Sequence, residues 1–217
     1  MSDKPKLPIV MIGGGGHASV LTEILLFQQR EILAVISPEN INQRSVFKGI
    51  RHLKKDDDVL AFDKDKVLLV NGIGMMPRSG LKRKINEHFL SLGYQFETVI
   101  SDNAFVSPFS KIENGAQILP MSIIQTGVTV GSHSIINTGA LIEHDCIIGA
   151  YNHIAPRATL CGQVETDIGA FIGAGATLIQ SLSIGKHAVV GAGVCLKQSL
   201  KSNSIAYPTK VMTKKHS

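Results

Sequence analysis

Hydrophobic positions obey two different rules along the chain, and the change falls at residue 100. Before it, short apolar runs alternate with helical stripes. Residues 7–12 predict a buried strand, and Ala18 to Arg30 carries Val20, Leu21, Ile24, Leu25 and Phe27 at helical spacing. Glu31 to Ile36 (EILAVI) and Lys66 to Asn71 (KVLLVN) predict a second and a third strand. Residues 41–66 are polar and broken, and the charged run Lys54 to Asp58 predicts a helix-loop region. Gly80 to Leu92 predicts a second helix with an apolar stripe at Leu81, Ile85, Phe89 and Leu92, stopped by Gly93. Tyr94 to Ile100 reads as a fourth strand. Strands alternating with helices predict a small parallel α/β unit.

From Ile100 the spacing becomes six. Positions 100, 106, 112 and onward in steps of six to 196 are aliphatic at sixteen of seventeen places, with Thr166 the exception. Four residues after most of them stands a small residue, among them Ala104, Ser110, Ala116, Ser122, Ser134, Ala140, Cys146, Ala158, Ala170, Ala176 and Ala188. Glycine follows the aliphatic directly at Gly131, Gly149, Gly173, Gly185 and Gly191, where it is expected to help turn the coil. A 3.6-residue helix cannot hold a strict period of six. A hexapeptide β-helix can, with one aliphatic of each short strand inside.

Composition narrows the class. The 217 residues hold 44% hydrophobic side chains, 21 glycines, no tryptophan and 5% aromatics, which favours packing by small and β-branched side chains. The formal charge of +5 is scattered apart from Lys54-Lys55, Lys82-Arg83-Lys84 and the tail from Lys210 to His216. No basic stripe is interleaved with aromatics, so nucleic acid is disfavoured, while an anionic small molecule is suited. Cys146, Cys161 and Cys195 have neither C-x-x-C spacing nor an even count, against a disulfide framework or a zinc site. With no long apolar run and no signal-peptide pattern at Met1 to Pro5, the expectation is a soluble cytoplasmic protein without a membrane span.

The stretch Ile12-Gly13-Gly14-Gly15-Gly16-His17-Ala18-Ser19 loosely fits the dinucleotide fingerprint G-x-G-x-x-G/A. A glycine turn between strand and helix aims backbone N–H groups at an anion. Dinucleotide binding also expects an acid about 20 residues on, at the end of the second strand. That place reads Ile36-Ser37-Pro38, with Glu39 beyond. A dehydrogenase would further need a substrate domain, which a hexapeptide coil does not resemble. The turn is read as phosphate-holding, without NAD.

Both halves together resemble one family. IVMIGGGGHAS, GIGMM, GYQFETVI, IINTGALIEHDCIIG, HIAPRATLCGQV and FIGAGATLI are similar to the NeuD/PglD group of hexapeptide-repeat sugar acetyltransferases, over about residues 8–210. The resemblance implies a Rossmann-like nucleotide-sugar-binding domain at residues 1–98 and a left-handed parallel β-helix transferase domain with a C-terminal tail at 99–217. The general crossover rule alone would give the opposite hand. It implies a homotrimer with active sites between subunits, acetyl-CoA as co-substrate, no metal, and direct transfer. Two departures stand out: Ser37-Pro38 replaces an acidic pair, and the closing G-x-P-A-K/R appears as Ala206-Tyr207-Pro208-Thr209-Lys210.

Acetyl transfer to an amine needs a base for its proton and a donor for the developing oxyanion. By resemblance His144 is the base and Asp145 supports it. Neighbours on a regular strand face opposite ways, so their contact requires a bend. The resemblance places His153 at the acetyl-CoA thioester, with Gly173, Ala174, Gly191 and Ala192 along the coenzyme. It assigns Gly15, Gly16, His17 and Gly74 to the nucleotide sugar, together with Ser37 at the altered position. His144 and His153, nine residues apart, fall on different sides of one coil. His133 and His187 lack motif support and are expected at the surface. Cys146 fills a small-residue core slot and Cys161 is expected to face outward. The leading expectation is N-acetylation of a nucleotide-linked 4-amino-4,6-dideoxy sugar for a bacterial surface glycan. O-acetylation of sialic acid or a related nonulosonic acid is the near alternative, and a noncatalytic nucleotide-binding scaffold the remote one.

Overall fold

The computed structural model describes residues 6–77 and 79–208. The N-terminal unit is a four-stranded parallel sheet built from β1 (Ile9–Ile12), β2 (Ile32–Ile36), β3 (Arg51–Leu53) and β4 (Leu68–Asn71), in the order β3-β2-β1-β4. β1 is central, and all four of its residues are buried, as expected for a parallel strand covered on both faces. Helix α1 (Gly16–Phe27) begins two residues before the predicted start, with Gly15 in extended conformation as its N-cap. It ends before Arg30, and Phe27 is 79% exposed.

Three sequence expectations change here. β3 lies within the polar segment: it is a half-exposed edge strand with no apolar run to reveal it. Tyr94 to Ile100 is no single strand, because Phe96 makes one bridge to Leu69 while Val99–Ile100 opens the β-helix. Helix α2 (Leu81–Ser91) buries Lys82, Asn86 and Phe89 and leaves Leu81 and Leu92 exposed. Its packed face is set by polar partners at the domain seam, described below.

From Val99 to Ala206 the chain winds through eighteen two-residue strands into a left-handed β-helix with three parallel faces. Ladder partners are eighteen residues apart, as in Ile135 with His153 and Leu141 with Thr159. The second residue of each strand through Leu196 is the sequence hexad. Ile118, Ile124, Val130, Ile136, Ile142, Ile154 and Leu160 are fully buried, and Ala116, Ala140, Cys146, Ala158, Ala170 and Ala176 fill the space between them. Each aliphatic contributes about 1.5–3 kcal/mol on burial. Thr166 is accommodated because its Oγ1 accepts from the Gly149 N–H at 3.2 Å.

The coil turns at the third residue after each aliphatic, where φ is positive from Gly115 to Gly193, whether the residue is Gly139 (67°) or Asp145 (59°). The glycines directly after the aliphatics serve a different purpose from the one expected. A Cβ on Gly173 would lie 2.5 Å from Ala192 N, and one on Gly149 2.7 Å from the Asp167 carbonyl carbon. They permit close stacking of successive coils. The last coil is shorter, since Val189 pairs with Ile205, sixteen residues on.

The N-terminal unit docks on one face of the β-helix. Leu119 and Ile135 join the apolar cluster of Ile9, Met11, Leu21 and Leu25. Gln28 Nε2 donates to Ile100 O and Asp102 Oδ1 at 2.8 and 2.7 Å.

Candidate active site

His144 stands at an outer corner of the coil and is exposed, with Asp145 beside it. The required bend is present, because Asp145 occupies the turn position with φ +59°. That geometry brings His144 Nδ1 to 2.8 Å from Asp145 Oδ2. A carboxylate only accepts, so Nδ1 carries a proton, and in the neutral ring the lone pair lies on Nε2. Two glycines make room for the pair. A Cβ on Gly162 would lie 2.6 Å from His144 Cε1, and one on Gly127 would strike Asp145 Oδ1.

A separate cavity of about 680 Å³ lies where the N-terminal unit meets the β-helix. Gly13 to His17, Ser37, Glu39, Asp56 and Gly72 to Met76 line one side, and Asn137 and His153 the other. The open first turn of α1 has no side-chain cap, so its backbone N–H groups remain available to an anion. Ser37 Oγ accepts from the Glu39 N–H at 3.3 Å, closing the turn that replaces an acidic pair.

His153 is 7% exposed, stacked on Phe171 with ring centres 4.9 Å apart. Burial, then the charge of Lys82, lower its pKa from 6.5 to about 4, so it is neutral at pH 7. Asn137 Oδ1 accepts from the Thr138 N–H at 2.8 Å, which turns Asn137 Nδ2 toward His153 Nε2 at 3.4 Å. Nε2 is therefore the acceptor and Nδ1 the N–H donor, and Nδ1 is buried without a protein partner.

The predicted residues thus fall into three places. Gly15, Gly16, His17, Ser37, Gly74 and His153 share the cavity. His144 and Asp145 lie at another corner of the same chain, away from it. Gly173 and Gly191 stack in successive coils, with Ala174 and Ala192 exposed beside them. His133 corrects its expected surface position: it is 7% exposed, stacked on Tyr151 at 5.0 Å and edge-on to Phe96 at 5.2 Å. The docked N-terminal unit covers it. His187 is exposed, Cys146 is buried and Cys161 half-buried.

No family model matches the chain. A solved structure of perosamine N-acetyltransferase from Caulobacter crescentus, a histidine-to-asparagine variant with CoA and GDP-perosamine, is similar at 29% identity and a TM-score of 0.83. The match covers 95% of this chain and 97% of that one. This chain is a hexapeptide-repeat sugar acetyltransferase. The acetyltransferase domain of PglB from Neisseria gonorrhoeae, solved with acetyl coenzyme A, shares the fold at 23% identity and a TM-score of 0.84, covering 96% of this chain and all (100%) of that one. WeeI from Acinetobacter baumannii shares it at 22% identity and a TM-score of 0.80, over 92% and 96% of the two chains.

Sequence reasoning missed three polar residues of the acetyltransferase cavity region: Gln117, Lys82 and Asn137 as an orienting group for His153. Gln117 carried one legible signal, a polar residue in the outward column Val99, Gln117, Ile135 whose neighbours are aliphatic. Among the described residues, no helix of the acetyltransferase is long and apolar enough to cross a membrane.

Proposed function

We propose that the protein transfers the acetyl group of acetyl-CoA to the amine of a nucleotide-linked 4-amino-4,6-dideoxy sugar, in the cytoplasm, for a bacterial surface glycan. The observation that carries this reading is the His144–Asp145 pair, with Nδ1 bound and the Nε2 lone pair free at an exposed corner. His144 Nε2 accepts the proton of the sugar amine as its nitrogen attacks the thioester carbonyl carbon. The C–N bond forms, the C–S bond breaks, and the CoA thiolate departs. His153, neutral and on the wall of the cavity, serves at the thioester as the donor to the developing oxyanion. Gly173, Ala174, Gly191 and Ala192 form the smooth edge along which the coenzyme lies. Gly15, Gly16, His17, Ser37 and Gly74 hold the nucleotide sugar in the cavity, with the helix N-terminus at its phosphates.

The division falls between residues 98 and 99, with substrate docking before it and transfer after it. Because His144 and His153 occupy different corners of one coil, the complete site takes one from each of two neighbouring subunits of a homotrimer. The likeness to a perosamine N-acetyltransferase supports an amine acceptor. A thiol-release assay with acetyl-CoA tests the reading against UDP-, dTDP- and GDP-linked amino sugars and free sialic acids. Release only with a sialic acid overturns N-acetylation, and sedimentation as a monomer overturns the shared site.

A further inference from the structure

The seam between the two units contains a polar junction that the transfer chemistry leaves unused. Gln117, 2% exposed, lies on the β-helix face that the N-terminal unit covers. Its Nε2 donates to Asn71 O at 2.8 Å. Its Oε1 lies 3.3 Å from Lys82 Nζ and 2.7 Å from His17 Nε2. A backbone carbonyl only accepts, so Asn71 O fixes the amide with Nε2 toward it and Oε1 toward Lys82, whose amine, lowered by burial from 10.5 to about 7, can donate in either charge state. Oε1 can then only accept from His17, which must carry its proton on Nε2. His17 Nδ1 keeps its lone pair and has no hydrogen bond from the described residues, on the wall of the cavity.

We propose that Gln117 is a positioning residue for the substrate cavity: it holds His17 in the Nε2–H tautomer, so that Nδ1 is presented as an acceptor to an N–H or O–H group of the bound nucleotide sugar. The ligand assignment rests on the function proposed above; the tautomer does not. The surroundings keep His17 neutral. Burial, then Lys82 on α2 and more weakly His153 on the β-helix, lower its pKa from 6.5 to about 3, against a smaller opposing effect of the Gln117 hydrogen bond. Glu39 and Asp56 line the same cavity but do not figure among the groups that shift it. Lys82 directs Nζ to Asn71 O, Ile73 O and Gln117 Oε1 at 2.7, 3.1 and 3.3 Å. One amide therefore ties α1, α2 and the Asn71–Ile73 loop to the β-helix.

The test reads the ring nitrogens of the full-length protein, labelled with ¹⁵N-histidine, from pH 5 to 8, with His17→Asn to assign the signals. The wild type is expected to show His17 as Nε2–H with no titration in that range. Gln117→Glu places a carboxylate beside Nε2 and brings the titration of His17 into the range. Its KM for the nucleotide sugar rises about tenfold at the acid end and recovers toward pH 8, the size expected for one buried hydrogen bond lost, while KM for acetyl-CoA holds. Gln117→Met, with no charge, gives a mixed tautomer and a rise in KM that does not vary with pH. A wild-type His17 that is Nδ1–H or titrates between pH 5 and 8 overturns the proposal without need of a variant. So does a Gln117→Glu protein whose His17 shifts and sugar KM match the wild type. The expected shifts in a protein that acetylates none of the sugars uphold the junction and overturn the functional reading instead.

Discussion

Two histidines nine residues apart meet opposite environments. His144 stands in solvent at a coil corner with a carboxylate at 2.8 Å, while His153 is 7% exposed beneath the N-terminal unit with Lys82 as its charged neighbour. The corner offers its imidazole water and a carboxylate, whereas charging an imidazole at the seam means placing a second cation near Lys82 in a buried site. A single side-chain type thus meets solvent and a carboxylate in one place and a sealed, cation-bordered wall in another, by position in the coil. The corner is built from one turn and its glycines, whereas the seam depends on two domains packed together.

The largest effect that would break this contrast is expected at the corner. His144→Ala should lower kcat by about 10²–10⁴, the range for loss of a general base, with unchanged melting temperature. Unchanged turnover removes His144 from the mechanism. The N-terminal unit beside the seam should respond in the opposite way, through stability. Gly72→Ala puts a Cβ 2.5 Å from Ala18 Cβ and 2.8 Å from its Cα, which are held in the first turns of α1. Overpacking of that kind costs about 1–3 kcal/mol, so chemical denaturation should show it directly. A Gly72→Ala protein as stable as the wild type would mean that the strand–helix packing yields easily.

The same contrast explains what was legible in the sequence. The β-helix repeats one rule through seventeen positions, so each aliphatic confirms the others and the fold follows from spacing. At the corner, the adjacency of His144 and Asp145 showed only that their contact needs a bend; the turn with φ +59° that supplies it belongs to the coil. The seam was not legible. Gln117 meets His17 and Asn71 across sequence separations of 100 and 46 residues, which no local pattern reports. Lys82 was hidden inside an apparent Leu81–Ile85–Phe89 stripe, and its burial is affordable only because three acceptors converge on Nζ. His133 looked like an ordinary turn residue until the docked unit covered it.

Acid should separate the two regions next. His17, His133 and His153 have pKa values lowered from 6.5 to about 3, 4 and 4, first by burial and then by Lys82. The unfolded chain binds protons at these groups below pH 6.5 and the folded chain does not, so their contribution to stability is full above 6.5 and is lost as pH drops toward 4, while that of Lys82, lowered from 10.5 to about 7, changes only above pH 7. Each histidine contributes up to about 1.4 kcal/mol per pH unit across that window. Denaturation midpoints measured from pH 7 to 4 should fall with this slope, and His133→Phe should flatten it. A slope unchanged in that variant would place the acid sensitivity outside the seam.

The smallest effect tests how the corner is held. Gly162 has no positive φ, so alanine fits its backbone, yet a Cβ there lies 2.6 Å from His144 Cε1 and 2.7 Å from Nε2. The obstacle is the end of an exposed, flexible side chain, which can swing away at little cost in stability. Gly162→Ala should therefore leave the denaturation midpoint in place while turning the imidazole off its line. A loss of about tenfold in kcat, with both KM values near the wild type, is the scale of a misplaced catalytic group. A fall in stability with normal kcat would reverse the inference, making Gly162 a packing residue and leaving the orientation of His144 to Asp145 alone.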